Sequence, residues 1–450
     1  MKYFDSLETR DPEQRERDLF AALPGQVAHA VQNAPAFADL YKGVIAAQVN
    51  SRAALARLPV IRKHELIERQ KTLPPFGGLN ATPVGRLGRV FSSPGPIYDP
   101  EGTGEDWWRF ARSLHAAGFR AGELVHNTFS YHFTPAGFMT EGAARKIGCA
   151  VFPAGVGQTE MQVQAIADLK PTGYIGTPSF LKIIIEKADE LKADISSLRK
   201  AVVSGEAFFP NQKALCAERG IDALQAYGTA DLGLIAYETE AREGLVLEES
   251  LILEIVRPGT GDPVAPGEVG EVVITSFNPD YPLIRFGTGD LSAVLPGISP
   301  CGRTNVRIKG WMGRADQTAK VKGMFVHPSQ VAEVVKRHPQ VAKARLVVDG
   351  HTEFVYRIEP RRKAQGLLKG ELWLDGETGL PLRETGRFVK NPSLFFKKTD
   401  VDQRYRVAEG KALITHRDMV IETRIVGKVE MKIQYTNHQP LAEAPATPAQ

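Results

Sequence analysis

Between Glu123 and Tyr227, short apolar runs alternate with longer helical stretches, and no other feature constrains the fold as strongly. The runs Leu124–Phe129, Ala150–Phe152, Tyr174–Gly176, Ala201–Ser204 and Ala223–Tyr227 have strand length, whereas Met161–Leu169 and Pro178–Leu191 carry helical spacing. Strands separated by helices form βαβ units, so the pattern predicts a parallel or mixed sheet. Thr177-Pro178, Ser204-Gly205-Glu206 and Tyr227-Gly228-Thr229 each follow a strand directly. Open α/β sheets bind ligands at the carboxyl ends of their strands, so these loops point to one crevice.

On either side the pattern changes. Asp11, Pro12 and Glu13 combine an N-cap, a first-turn proline and an acid matched to the helix dipole, predicting an amphipathic helix to about Asn33 within a largely helical first eighty residues. From Ser250 to Val294 the chain is β-rich, with LILEIV and EVVITS separated by the turn-forming PGTGDPVAPGEVG. Around Pro328 a loop leads into a predicted helix and two strands, and after Pro360 apolar and polar residues alternate between turns at Asp375-Gly376, Thr378-Gly379 and Glu409-Gly410. The expected fold class is α/β: a large N-terminal domain of βαβ-type sheets plus a β-subdomain (1–315), a small incomplete α+β domain (316–360), a C-terminal antiparallel β segment (361–438) and a disordered Ala/Pro-rich tail (439–450).

Composition narrows the function. A chain of 450 residues exceeds one ordinary hydrophobic core, and 43% hydrophobic with 24% charged residues is a soluble globular balance. The 56 basic and 52 acidic residues are interspersed, without the basic arm or block that a nucleic-acid partner requires. Cys149, Cys216 and Cys301 form no CxxC pair and suggest neither a disulfide framework nor a zinc site. Charges occupy the N-terminus where a signal peptide is apolar, and no run of about 18 apolar residues occurs, so a cytoplasmic protein without a membrane partner is expected.

The most informative segment is Leu224-Gln225-Ala226-Tyr227-Gly228-Thr229-Ala230-Asp231, followed downstream by Tyr281-Pro282-Leu283-Ile284-Arg285-Phe286-Gly287-Thr288-Gly289-Asp290 and Gly313-Arg314-Ala315-Asp316. In this order they resemble the motifs of adenylate-forming acyl- and aryl-CoA ligases of the phenylacetate–CoA ligase type. The resemblance implies that the Tyr227 ring lies against adenine beside Gly228, and that Asp231, one methylene shorter than the usual Glu, holds the Mg2+ accompanying ATP. It further implies that Asp290 accepts hydrogen bonds from both ribose hydroxyls, that Arg314 also reaches the ribose, and that Asp316 is the hinge of a domain rotation. Ser204-Gly205-Glu206 resembles the Gly-Ala-Glu-Pro loop, making Gly205 and Glu206 adenine contacts. Ser92, Ser93 and Gly95 stand at the phosphate loop. Thr229, Asp231 and His132 are the implied catalytic residues, with Tyr131, Phe133 and Tyr174 lining an aromatic acyl pocket. The implied cofactors are ATP, Mg2+ and CoA, the partner a small carboxylic acid, and a homodimer is compatible with the resemblance.

Three departures stand out. Pro94 and Pro96 remove N–H donors from the phosphate loop, Ala230 replaces a hydroxyl residue, and past Pro360 no stretch matches the family's lysine loop. The resemblance therefore covers about residues 10 to 360, and the final ninety residues read as a replacement. Three functions remain open at this point: an acid–CoA ligase acting through an acyl-adenylate, an impaired homologue that binds AMP or acyl-adenylate, and a scaffold whose C-terminal sheet binds a partner.

Overall fold

The computed structural model describes residues 2–93, 96–315, 319–321, 324–326, 341–348, 353–375, 379–391, 395–408, 411–423 and 427–436. It divides into two compact units, Met1–Ala315 and Asp316–Gln450.

In the first unit, the opening helix Pro12–Asn33 starts where its cap predicts, the Asp11 carboxylate accepting the Gln14 amide at 2.9 Å. The strands in chain order are β1 (Ile61–Arg62), β2 (Arg89–Ser93), β3 (Ile97–Glu101), β4 (Leu124–Asn127), β5 (Ala150–Pro153), β6 (Gly173–Gly176), β7 (Lys200–Val203) and β8 (Asp222–Thr229). They continue as β9 (Gly233–Tyr237), β10 (Leu245–Leu247), β11 (Leu251–Val256), β12 (Gly270–Ser276), β13 (Phe286–Ser292), β14 (Val294–Leu295) and β15 (Arg307–Ile308).

The largest sheet runs β14-β15-β10-β9-β8-β7-β6-β4-β5. Its βαβ half, β4 to β8, is parallel throughout. Helices Ala136–Ile147, Thr159–Leu169, Pro178–Leu191 and Pro210–Glu218 supply the crossovers, and the third begins at Thr177, whose hydroxyl caps the Phe180 amide. β5 and β6 lie on opposite sides of β4, so the crossovers diverge there and open a crevice at the carboxyl ends of β4 and β6.

A second sheet, β1-β13-β12-β11, carries the β-rich region. Its inner face buries Ile252, Ile274 and Phe286 against Leu23, Val27 and Phe37 of the N-terminal helices. Arg285, only 2% exposed, ties this sheet to the N-terminal segment: it pairs with Glu254 through Nε at 2.9 Å and Nη2 at 3.0 Å, and donates to the carbonyls of Ala56 and Leu58. β2 and β3 form a hairpin in which Ser93 pairs with Ile97.

The second unit contains a seven-stranded antiparallel meander: Val341–Val348, Glu353–Pro360, Leu368–Asp375, Pro381–Phe388, Phe396–Ala408, Lys411–Thr423 and Lys428–Gln434. The boundary expected at Pro360 therefore falls inside one sheet. Glu353–Pro360 pairs on one edge with Val341–Val348 and on the other with Leu368–Asp375, placing Val355 opposite Val347 and Trp373. A shift in composition does not reveal which strand edges are shared. The helix expected after Pro328, the turn at Glu409-Gly410 and the tail 439–450 lie outside the described residues.

Candidate active site

The loops at the carboxyl ends of β4, β7 and β8 surround a cavity of about 280 Å³. Phe110, Phe129, Pro135, Ala136 and Met139 supply apolar walls, while Lys63, Ser93, Ser204, Thr140 and Thr229 supply polar groups. This is the pattern of a small-molecule site, mostly apolar with a few placed polar atoms. Gly228 fits this wall because it lacks a side chain: a Cβ there would lie 2.7 Å from Phe110 Cζ and 2.6 Å from the Gly233 carbonyl.

Tyr227 and Asp290 belong to different sheets, yet they meet. The Tyr227 hydroxyl donates to Asp290 Oδ2 at 2.9 Å, and Asp290 Oδ1 accepts Trp311 Nε1 and Arg314 Nη1, each at 3.1 Å. Burial, then the neighbouring Asp290, pushes the Tyr227 phenol far above its usual range, so it remains a donor. Gly289 permits the approach of Arg314: its φ is +74°, and a Cβ would lie 2.7 Å from Arg314 Nη2.

Lys63 links this cluster to the cavity. β1 pairs in parallel with β13, Arg62 opposite Gly287, which carries the next residue alongside Thr288–Asp290 of that strand. Its ammonium lines the cavity and donates to Asp231 Oδ2 at 2.6 Å. Burial opposes the charge on Lys63, but Asp231, and after it Asp99 and Asp290, outweigh burial and hold the ammonium above the ordinary lysine range. Asp99, on β3, is fully buried. Burial and then Asp231 raise its carboxyl well above the usual range, against the pull of Lys63.

The other expected site residues are placed unevenly. Ser93, Gly205, Gly228 and Thr229 line the cavity, and Ser92 donates its amide to the Phe133 carbonyl at 2.8 Å. Glu206 is exposed and accepts from the amide and hydroxyl of Ser179. The three aromatics expected to stack in an acyl pocket do not line this cavity. Phe133 sits at a left-handed position with φ 61° and its ring is 82% exposed. Tyr174 is fully buried in the core beneath the helices, its hydroxyl bonded to Thr128 and Thr177, while Tyr131 bonds Asn127. His132 is exposed in the same loop as Phe133, away from the cavity lining. Phe110 and Phe129 line this cavity instead. Gly95 and Asp316 lie outside the described residues.

A larger depression of about 480 Å³ is lined by charges of both signs, including Arg89, Arg145, Lys146, Glu101 and Glu141. It shares only Met139 with the smaller cavity and includes none of the motif residues, so size does not mark the site here.

The fold and the clustered motifs define an adenylate-forming enzyme, and the family profile "AMP-binding enzyme" matches residues 108–278. The phenylacetate–coenzyme A ligase of Aromatoleum evansii is 32% identical over 351 residues, covering 74% of this chain and 78% of the relative. The phenylacetate–coenzyme A ligase of Thermus thermophilus is 31% identical over 365 residues, covering 77% and 81%. Among solved structures, an open conformation of 2-hydroxyisobutyryl-CoA ligase in complex with 2-HIB-AMP and CoA superposes with a TM-score of 0.73 at 25% identity, covering 80% of this chain and 83% of that one. The chain belongs to the phenylacetate–CoA ligase family of acid–thiol ligases. Among the described residues, no helix is long and apolar enough to cross a membrane.

Proposed function

We propose that this chain joins an aryl or arylacetic acid to coenzyme A by way of an acyl-adenylate, using ATP. The observation that carries this reading is the position of Lys63, whose ammonium lines a small, aromatic-walled cavity suited to an acid, pairs with Asp231 and feels the charge of Asp290 in a tyrosine–aspartate–arginine cluster suited to a nucleotide.

An ionised carboxylate is the natural acceptor for a vicinal diol, so Asp290 takes the ribose hydroxyls, with Arg314 fixing its orientation. Gly205 and Glu206 border the base, and Ser93, which lines the cavity, faces the phosphates. The acid enters between Phe110 and Phe129 and turns its carboxylate toward Lys63. A carboxylate oxygen then attacks the α-phosphorus, the bond to the β-phosphate oxygen breaks, and pyrophosphate leaves. The thiolate of CoA next attacks the acyl carbon, the bond to the AMP oxygen breaks, and AMP leaves. Most of the acceleration in such transfers comes from positioning and from compensating charge, tasks that Lys63, Arg314 and Thr229 are placed to perform.

The residues also fit a divalent cation. Asp231 Oδ1 and both oxygens of Asp99 are buried and lack a hydrogen-bond partner among the described residues, and Asp231 would hold the Mg2+ that accompanies ATP and neutralises its phosphate charge.

Acid-dependent ATP–pyrophosphate exchange, measured on the purified chain with a panel of aryl and arylacetic acids, tests the first step, and thioester formation on adding CoA tests the second. Exchange with aryl acids followed by CoA thioester is the expected result. Nucleotide binding without exchange for any acid would refute the assignment.

A further inference from the structure

We propose that Asp99 and Asp231 together form a two-carboxylate seat for a divalent cation, and that the Lys63 ammonium fills this seat when no metal is bound. The proposal rests on the assignment of Asp231 to the cation made above and adds a second ligand and a resident counter-ion.

Asp99 is set by the β2–β3 hairpin, where it lies opposite Phe91, and it is 0% exposed. Ser93 and Asp231 face its carboxyl, yet neither oxygen meets hydrogen-bonding geometry with a described residue. Asp231 Oδ1 is likewise buried without a hydrogen-bond partner among the described residues. Lys63 satisfies only Asp231 Oδ2, at 2.6 Å. Three buried carboxyl oxygens thus lack a hydrogen-bond partner among the described residues around one ammonium, an arrangement that proteins rarely leave uncompensated.

The chemistry of these oxygens selects the ligand. Hard divalent cations bind oxygen, and Mg2+ commonly takes one or two carboxylates while leaving its other positions to water and substrate phosphates. No group of three metal-ligating side chains occurs among the described residues, so the seat suits a cation that arrives with phosphates rather than a permanently caged ion.

The short hairpin gives the second carboxylate a purpose. Ser93 pairs with Ile97, and of the three residues between them in sequence Pro94 and Pro96 have no N–H to offer a phosphate. A carboxylate at this place would repel phosphate directly, but through a shared cation it attracts it. Metal and Lys63 then compete for Asp231, and metal entry frees the ammonium to turn toward the bound acid.

Nucleotide-free binding of Mn2+ to the full chain, followed by electron paramagnetic resonance, tests this without relying on activity. Lys63→Met is expected to bind one Mn2+ at least tenfold tighter than wild type, because the competing ammonium is gone. Adding Asp99→Asn or Asp231→Asn to that variant is expected to abolish the gain, with thermal melting confirming that each variant is folded. Lys63→Gln replaces Lys63→Met if the latter does not fold. No gain on removing Lys63 overturns the proposal. A gain that survives Asp99→Asn but not Asp231→Asn also overturns it while leaving the Asp231 assignment standing, and a gain that survives both substitutions removes that assignment as well.

Discussion

Replacing Asp290 with alanine removes the acceptor on which three donors converge, and its effects on nucleotide binding and on stability separate a ligand-binding role from a structural one. In the free protein the loss is limited. Trp311 is 47% exposed and the Arg314 side chain 34% exposed, so both can bond to water instead, and the Tyr227 hydroxyl keeps Thr288 Oγ1 at 3.3 Å. One buried hydroxyl loses a charged acceptor, which costs about 1–2 kcal/mol. Nucleotide binding loses more. Two ribose hydroxyls lose charge-assisted bonds worth about 1.5–3 kcal/mol each, partly offset by the protein donors they displace. A net loss of about 3 kcal/mol corresponds to roughly 100-fold weaker AMP binding. Calorimetric titration with AMP and urea denaturation of the same variant measure the two quantities. AMP affinity within threefold of wild type, alongside a clear fall in stability, would show that Asp290 merely holds Tyr227 and Arg314 in place.

Two further outcomes follow from buried charges away from the cavity. Arg285→Met leaves Glu254, which is 8% exposed, without its bidentate partner, and breaking such a pair costs about 3–5 kcal/mol; adding Glu254→Gln is expected to restore most of the loss in urea denaturation, whereas equal instability of single and double variants would contradict the pairing. Burial lifts the Asp106 carboxyl from 3.8 to about 7. A carboxyl raised on folding favours the folded state below its unfolded pKa, and that contribution is lost as pH rises from about 4 to about 7. Asp106→Asn cannot ionise, so its stability should fall less than wild type over this window, by at most about 4 kcal/mol. Parallel stability–pH curves from urea denaturation at pH 5 and pH 8 would rule this out.

How much of this was legible in the sequence depended on how local the signal is. Asp11-Pro12 and Thr177-Pro178 start their helices because a cap and a first-turn proline act within one turn. The β4 to β8 strands appear near their expected positions because their apolar runs are continuous and short. Tyr227, Asp290 and Arg314 were found as motif residues, and the structure brings them within hydrogen-bonding distance. Lys63 and Asp99 gave no such signal. Lys63 reaches the cavity only because Ile61 and Arg62 pair with Phe286 and Gly287, far along the chain, and Asp99 turns inward only through the register of its hairpin. Ordinary Lys and Asp residues in a sequence do not announce these pairings. Aromatic side chains were harder to place: their type predicts burial but not which cavity they line, and Tyr131, Phe133 and Tyr174 are not in the lining of this one. A left-handed backbone exposes Phe133, the core absorbs Tyr174, and Phe110 and Phe129 form the walls.

Oxygen-18 transfer tests the adenylate route most directly. The purified chain is supplied with ATP, CoA and an arylacetic acid labelled in both carboxylate oxygens, and the products are resolved by mass spectrometry. Attack of the carboxylate on the α-phosphorus predicts AMP carrying one labelled oxygen for each thioester formed. Unlabelled AMP, or label appearing in inorganic phosphate together with ADP, would contradict it.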